Sequence, residues 1–120
     1  MEVTAAVLGE PKELHAYVRD EMYRIGYEAI LNSVRHSCAR CLSISLQYGE
    51  DVTLTIEDDG IGIDAGVLEN GIPGHYGLRG MRERAASIEA RLFMESAAGR
   101  GTSTTLAVPG KIAYSTEHSW

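Results

Sequence analysis

Glu28, Asn32 and His36 recur at intervals of four in the segment YEAILNSVRHS. That spacing puts all three on one face of a helix. A carboxylate, an amide oxygen and an imidazole in line suit a metal–phosphate site. Asn is a hard oxygen ligand fitted to Mg2+, with water completing the shell. An ordinary polar helix face has the same composition, so this pattern decides nothing by itself.

Three further patterns carry chemistry. Asp58-Asp59-Gly60-Ile61-Gly62-Ile63 follows a strand-like run. Its glycines let backbone approach a planar ligand closely, and the carboxylate before them can accept from an exocyclic amine. Gly60-x-Gly62-x-x-x-Gly66 departs from the dinucleotide-binding spacing, which also needs a helix to follow. No phosphate-loop motif exists either, because Gly110-Lys111 is followed by Ile112. Gly74-His75-Tyr76-Gly77-Leu78-Arg79-Gly80-Met81 is a glycine turn that opens a helix. The free amides of such a turn form an anion site suited to phosphates. Gly99-Arg100-Gly101-Thr102 is a turn that ends on a hydroxyl; a plain hairpin turn accounts for it equally well.

These patterns sit on a consistent set of elements. Glu2 to Leu8 is rich in apolar and β-branched residues and predicts a strand, ended by Gly9-Glu10-Pro11. Leu14 to about Ser37 predicts a long helix. Tyr23, Tyr27, Ile30, Leu31 and Val34 share one apolar arc of it, and Val18, Met22, Ile25 and Ala29 form a second. Glu21, Glu28, Asn32, Arg35 and His36 lie between. Two apolar arcs flanking a polar one predict a helix that packs on a sheet and also borders a cavity. Cys41–Tyr48 and Val52–Ile56 alternate as strands about a short Gly49-Glu50-Asp51 loop. Asp58 to Tyr76 is glycine-rich, contains Pro73 and reads as loop; Leu78 to Ala90 reads as helix. Leu92–Ala97 and Thr104–Val108 read as two last strands about the 99–101 turn. Strand pairs joined by tight turns must be antiparallel. The expected fold is therefore a two-layer α/β sandwich, with a mixed, mainly antiparallel sheet and helices on one face.

Composition narrows the partners. The 120 residues fit one domain, divided here into residues 1–110 and a polar tail over 111–120. At 44% hydrophobic and 23% charged the chain can build a core. A net charge of −6 argues against a general nucleic-acid or membrane-surface binder. No apolar run approaches the ~20 residues of a membrane span. The first residues lack the basic region of a signal peptide, and two cysteines imply no disulfide framework, so a cytoplasmic setting is expected. Cys38-Ala39-Arg40-Cys41 lacks the second pair a zinc site wants. The chain opens directly in a strand, as expected of a piece of a longer protein.

Taken together, the four patterns resemble the GHKL ATPases, the class that includes histidine kinases, type II gyrases and MutL. EAILNSVRH resembles the N box of that family, DDGIGI the G1 box, HYGLRGM the G2 box and GRGT the G3 box. The match runs from about Arg24 to Pro109. Within the class, GHYGLRGMRERA looks like the sensor histidine kinases that work with LuxR-type response regulators.

The resemblance implies the Bergerat α/β sandwich, ATP as ligand and Mg2+ beside it. It implies Asp58 as acceptor of the adenine amine, with Gly60 and Gly62 letting the base lie against the backbone and Ile63 also in the nucleotide-binding set. It implies Asn32 as the Mg2+ ligand, and Arg35 or His36 as a basic contact to phosphate or ribose. Gly74, Tyr76, Gly77 and Leu78 fall at the junction of a lid (Asp64 to Gly74) with the following helix, whose amides meet phosphate. Thr102 matches a hydroxyl near base or phosphates. Glu28 matches the acid that assists proton removal from a phosphoacceptor histidine, a role typically worth about 10²–10⁴-fold.

The phosphoacceptor itself is expected elsewhere. Glu13-Leu14-His15 superficially resembles its motif, but Ala16 stands where an acid is usual and the N box follows too soon. The implied partners are the phosphoacceptor and dimerisation helices of a parent kinase and a LuxR-type regulator downstream, with the domain alone monomeric and out of direct membrane contact. A nucleotide-binding sensor without phosphotransfer is one alternative; Glu28 and Asn32 speak against it. A serine kinase of the anti-sigma-factor type is the other; GLRGMRERA and the strand-first start disfavour it.

Overall fold

Each run of alternating apolar residues is a strand, and each run with helical period is a helix. The computed structural model describes residues 1–36, 38–62, 77–97 and 99–115, without the side chains of residues 36 and 97. The order is β1 (Glu2–Leu8), α1 (Ala16–His36), β2 (Cys41–Tyr48), β3 (Val52–Asp58), α2 (Leu78–Ser87), β4 (Arg91–Ala97), β5 (Gly101–Val108) and the short α3 (Gly110–Ala113). The strands form one sheet in the order β1-β2-β3-β5-β4. β1 runs parallel to β2, and the other pairs are antiparallel. A parallel pair needs a crossover connection, and α1 supplies it.

The two long helices share the core with the sheet. Val18, Met22, Ile25 and Ala29 of α1 are buried with Leu42, Val52, Ile56, Leu106 and Val108 of the strands and Leu78, Met81 and Ala85 of α2. Each large side chain so buried contributes about 1.5–3 kcal/mol. Gly26 sets the closeness of α1. A Cβ there would stand 3.2 Å from the Leu54 side chain of β3. Gly costs a helix about 1 kcal/mol relative to Ala, and here it lets the helix settle onto the sheet.

Of the two apolar arcs on α1, one is core and the other is largely uncovered. Tyr23, Tyr27 and Val34 are exposed, and Tyr23 stacks on Tyr27 at 6.3 Å between ring centres. The cavity beside this arc is a groove of about 640 Å³, walled by Tyr23, Tyr27 and Ile30 and floored by Ile44, Leu46 and Leu54. The cavity expected from the polar arc is thus accompanied by an apolar one on the opposite flank. Packing explains it: α1 contacts β3 and β5, whereas β1 touches chiefly β2.

Element ends differ from the sequence reading by a few residues, for identifiable reasons. α2 stops at Ser87 rather than Ala90, because Glu89 adopts φ 53°. Its amide bonds Ala86 O at 3.1 Å and the Ala90 amide bonds Ala85 O at 2.9 Å, the Schellman arrangement. β5 begins at Gly101, three residues before Thr104, in register with β3 and β4. The first part of the tail is docked rather than loose. Ala113 is fully buried. Tyr114 forms a bridge with Leu14, and its hydroxyl donates to Gly49 O at 2.6 Å and accepts from the Gly49 amide at 3.1 Å. Residues 116–120 lie outside the described part.

Candidate functional site

The last two turns of α1, the end of β3 with the loop after it, and the start of β5 meet at one end of the sheet. Asp58 is the last residue of β3 and is in register with Leu42 on one side and Thr102 on the other. Leu42 belongs to the core under α1, so this row of the sheet faces the helices. From α1, Ser33 reaches across and its hydroxyl donates to Asp58 Oδ2 at 2.6 Å. The Gly60 amide donates to Asp58 Oδ1 at 2.9 Å. A carboxylate offers about four acceptor positions. Two are used to fix its plane, and the others can receive a ligand amine.

Asn32, next to Ser33, is buried, at 9% exposure. Glu28 is one turn earlier and half-buried. Its carboxylate lies against Gly77, the residue before α2, which adopts φ 61°. A Cβ at Gly77 would stand 2.6 Å from Glu28 Oε2. Leu78 is buried under this turn and anchors the amino end of α2. The structure therefore brings Glu28 to the helix start that the sequence marks as an anion site. Arg35 lies exposed in the last turn of α1, and His36 ends that helix. Ile63, Gly74 and Tyr76 lie outside the described residues, as does nearly all of the lid segment.

The 99–101 turn supports the loop after β3 from behind. The Gly99 amide donates to Ile61 O at 3.0 Å. Gly101, at φ 85°, packs so closely on Asp58 that a Cβ would collide with the Asp58 carbonyl oxygen. Gly62 also requires a left-handed backbone, at φ 82°. Thr102 Oγ1 lies 3.1 Å from Ser96 Oγ, tying β5 to β4 beside the site.

Two contributors escaped the sequence reading. Ser33 is one; it lies inside the NSVRH run, and its hydroxyl next to Asn32 was the available signal. Asp59 is the other. Its Oδ1 accepts from the amides of Arg40 at 2.8 Å and Cys41 at 2.9 Å, binding the start of β2 to the loop. The Cys41 amide first, and then that of Arg40, hold its carboxyl below the usual 3.8. Its neighbour Asp58 is left to face the helices.

The model of a family described as histidine kinase-, DNA gyrase B- and HSP90-like ATPases matches residues 17–112. The chain belongs to this ATPase family. Among curated relatives, the sensor protein VraS of Staphylococcus saprophyticus is 34% identical over 93 residues, covering 77% of this chain and 26% of the relative. The chain thus spans about a quarter of the length of the curated relatives it matches. Among solved structures, the histidine kinase domain of the blue-light activated kinase EL346 from Erythrobacter litoralis superposes with a TM-score of 0.69 at 21% identity. It covers 89% of this chain and 54% of that one. Full-length ShkA in complex with AMPPNP gives 0.75 at 15% identity, covering 96% and 26%. The sandwich, with its mixed five-stranded sheet, is the fold of histidine kinase ATPase domains. Family membership gives the chain its ligand class, a nucleotide.

Proposed function

We propose that this chain is the ATP-binding catalytic domain of a two-component sensor histidine kinase. It passes the γ-phosphoryl group of ATP to a histidine on phosphoacceptor and dimerisation helices carried outside this chain. The observation that carries the reading is the carboxylate of Asp58, held by the Ser33 hydroxyl and the Gly60 amide with acceptor positions to spare. The match to sensor protein VraS and the AMPPNP complex of ShkA support it.

The residues divide the work. Asp58 receives the exocyclic amine of adenine, and Gly60 and Gly62 let the base lie on backbone. Ile63 belongs to the nucleotide-binding set, and the Thr102 hydroxyl lies near the base or the phosphates. The amides at the junction of Gly74, Tyr76, Gly77 and Leu78 with α2 receive phosphate oxygens, with Arg35 or His36 as the cationic contact. Asn32 is the side chain that would hold Mg2+ together with the phosphates; the buried amide oxygen fits a hard cation. Bound there, Mg2+ supplies charge neutralisation, the main need of phosphoryl transfer along with positioning. Glu28 takes the proton from the attacking imidazole.

The parent kinase would place this domain on the cytoplasmic side of a membrane sensor and pass phosphate to a LuxR-type response regulator. No described helix is long and apolar enough to cross a membrane. The domain alone is proposed to be monomeric, without nucleic-acid or direct membrane contact.

The test uses ATP radiolabelled at the γ-phosphorus, Mg2+, this chain and the separately purified phosphoacceptor helices of its parent. Acid-labile, base-stable label on those helices is the expected result. Label that is acid-stable and base-labile would assign the domain to the serine kinases instead. Absence of any label would leave a nucleotide sensor.

A further inference from the structure

Among the described residues, α1 and α2 meet at a polar contact inside the site described above and at another outside it. At the first, Glu28 of α1 meets Gly77 at the start of α2. The second lies seven residues back along α1 and seven residues on along α2. There, Arg84 Nη1 donates to both oxygens of Glu21, at 3.2 and 3.4 Å. The Glu21 side chain is 11% exposed and that of Arg84 38%. Glu21 is among the few charged side chains buried in the described molecule, and the catalytic scheme makes no use of it.

Its place explains it. Seven residues are about two helical turns, so the two contacts sit about 10.5 Å apart along each helix. Between them along α2 the buried residues are Leu78 and Met81, and apolar packing is non-directional. An ion pair adds a directional contact that such packing lacks. An ion pair whose carboxylate is buried and whose guanidinium is partly exposed can act as a register device. It fixes where the amino end of α2 stands relative to Glu28 and Asn32.

We propose that Glu21 and Arg84 are positioning residues for phosphate recognition. By pinning the far end of α2, they hold its first amides and the Glu28–Gly77 contact at the place where the nucleotide's terminal phosphates bind. The proposal rests on the nucleotide-site reading above. It separates the two ends of the ligand: Asp58 governs the base, and Glu21 with Arg84 governs the phosphate tail.

The test measures ATP by calorimetry and AMP by ligand-observed NMR, both with Mg2+, on the native chain, E21Q, R84M and the charge swap E21R/R84E. E21Q keeps size and shape, and circular dichroism confirms folding of each variant. The single variants are expected to lose about tenfold in ATP affinity while AMP stays within about twofold, and the swap is expected to recover most of the loss. An equal loss for ATP and AMP would overturn the proposal, because it would mean a general structural role. So would unchanged ATP affinity in both folded single variants. A native chain that binds neither nucleotide would overturn the underlying site reading, a result distinct from either of these.

Discussion

The carboxylate of Glu28 occupies the space that a side chain at Gly77 would need. An ideal Cβ on Gly77 falls 2.6 Å from Glu28 Oε2, and the residue already stands at φ 61°. The proposed general base and the turn that opens α2 are therefore one packing unit. Gly77→Ala should cost about 1–2 kcal/mol in backbone strain alone. At about 4 °C per kcal/mol, melting should fall by roughly 4–8 °C. Because Glu28 must also shift, phosphotransfer should fall further than the lost stability explains. Thermal melts and initial rates on the same preparations check both.

Ser33 is expected to matter to the nucleotide through Asp58. Its hydroxyl fixes the Asp58 carboxylate, and a hydrogen bond to a charged group contributes about 1.5–3 kcal/mol. Ser33→Ala should weaken ATP by about tenfold. Ser33→Thr should retain most of the affinity. Calorimetric titration of the two variants decides.

Asp59 ties stability to acid pH. Its folded pKa lies below the unfolded 3.8 because backbone amides, Cys41 first, favour the charged form. A depressed carboxyl stabilises above the unfolded value and loses that contribution as pH falls through the folded one. Native protein should therefore melt higher than Asp59→Asn at pH 6. The two curves should converge as pH falls from 3.8 through the lowered folded pKa. Melting temperatures taken from pH 6 to pH 2 would show convergence, or parallel curves that contradict it.

Glu89 sits at φ 53° in the C-terminal cap of α2, a conformation that suits glycine. Glu89→Gly removes a strain of about 1–2 kcal/mol, in part offset by the entropy of glycine, for a net gain of about 1 kcal/mol. Urea denaturation should show a higher midpoint with an unchanged slope.

The strands were legible because alternation and turn residues agreed at Cys41–Tyr48 and Val52–Ile56, although β3 runs two residues further, to Asp58. The family was legible because four weak patterns fell in one order. Burial on α1 was not. Tyr23 and Val18 are equally apolar in a helical plot, yet Tyr23 is 71% exposed and Val18 3%. What decides is where Gly26 lets the helix rest on β3, a tertiary fact. The parallel pairing of β1 was hidden for the same reason, since no tight turn links it to a neighbour. Ser33 escaped because its partner lies 25 residues away, and Glu89 because a left-handed glutamate has no sequence signature. Tyr114 looked like part of a tail until its hydroxyl was seen to clamp Gly49.

The central claim is that Asp58 anchors a nucleotide. Calorimetric titration of ATP into this chain, with Mg2+ and again with EDTA, tests it most directly, beside an Asp58→Ala control of matched thermal stability. The account predicts saturable binding that Mg2+ strengthens and that Asp58→Ala abolishes. Absence of heat and of any thermal shift in folded native protein would contradict it, as would undiminished binding in the Asp58 variant.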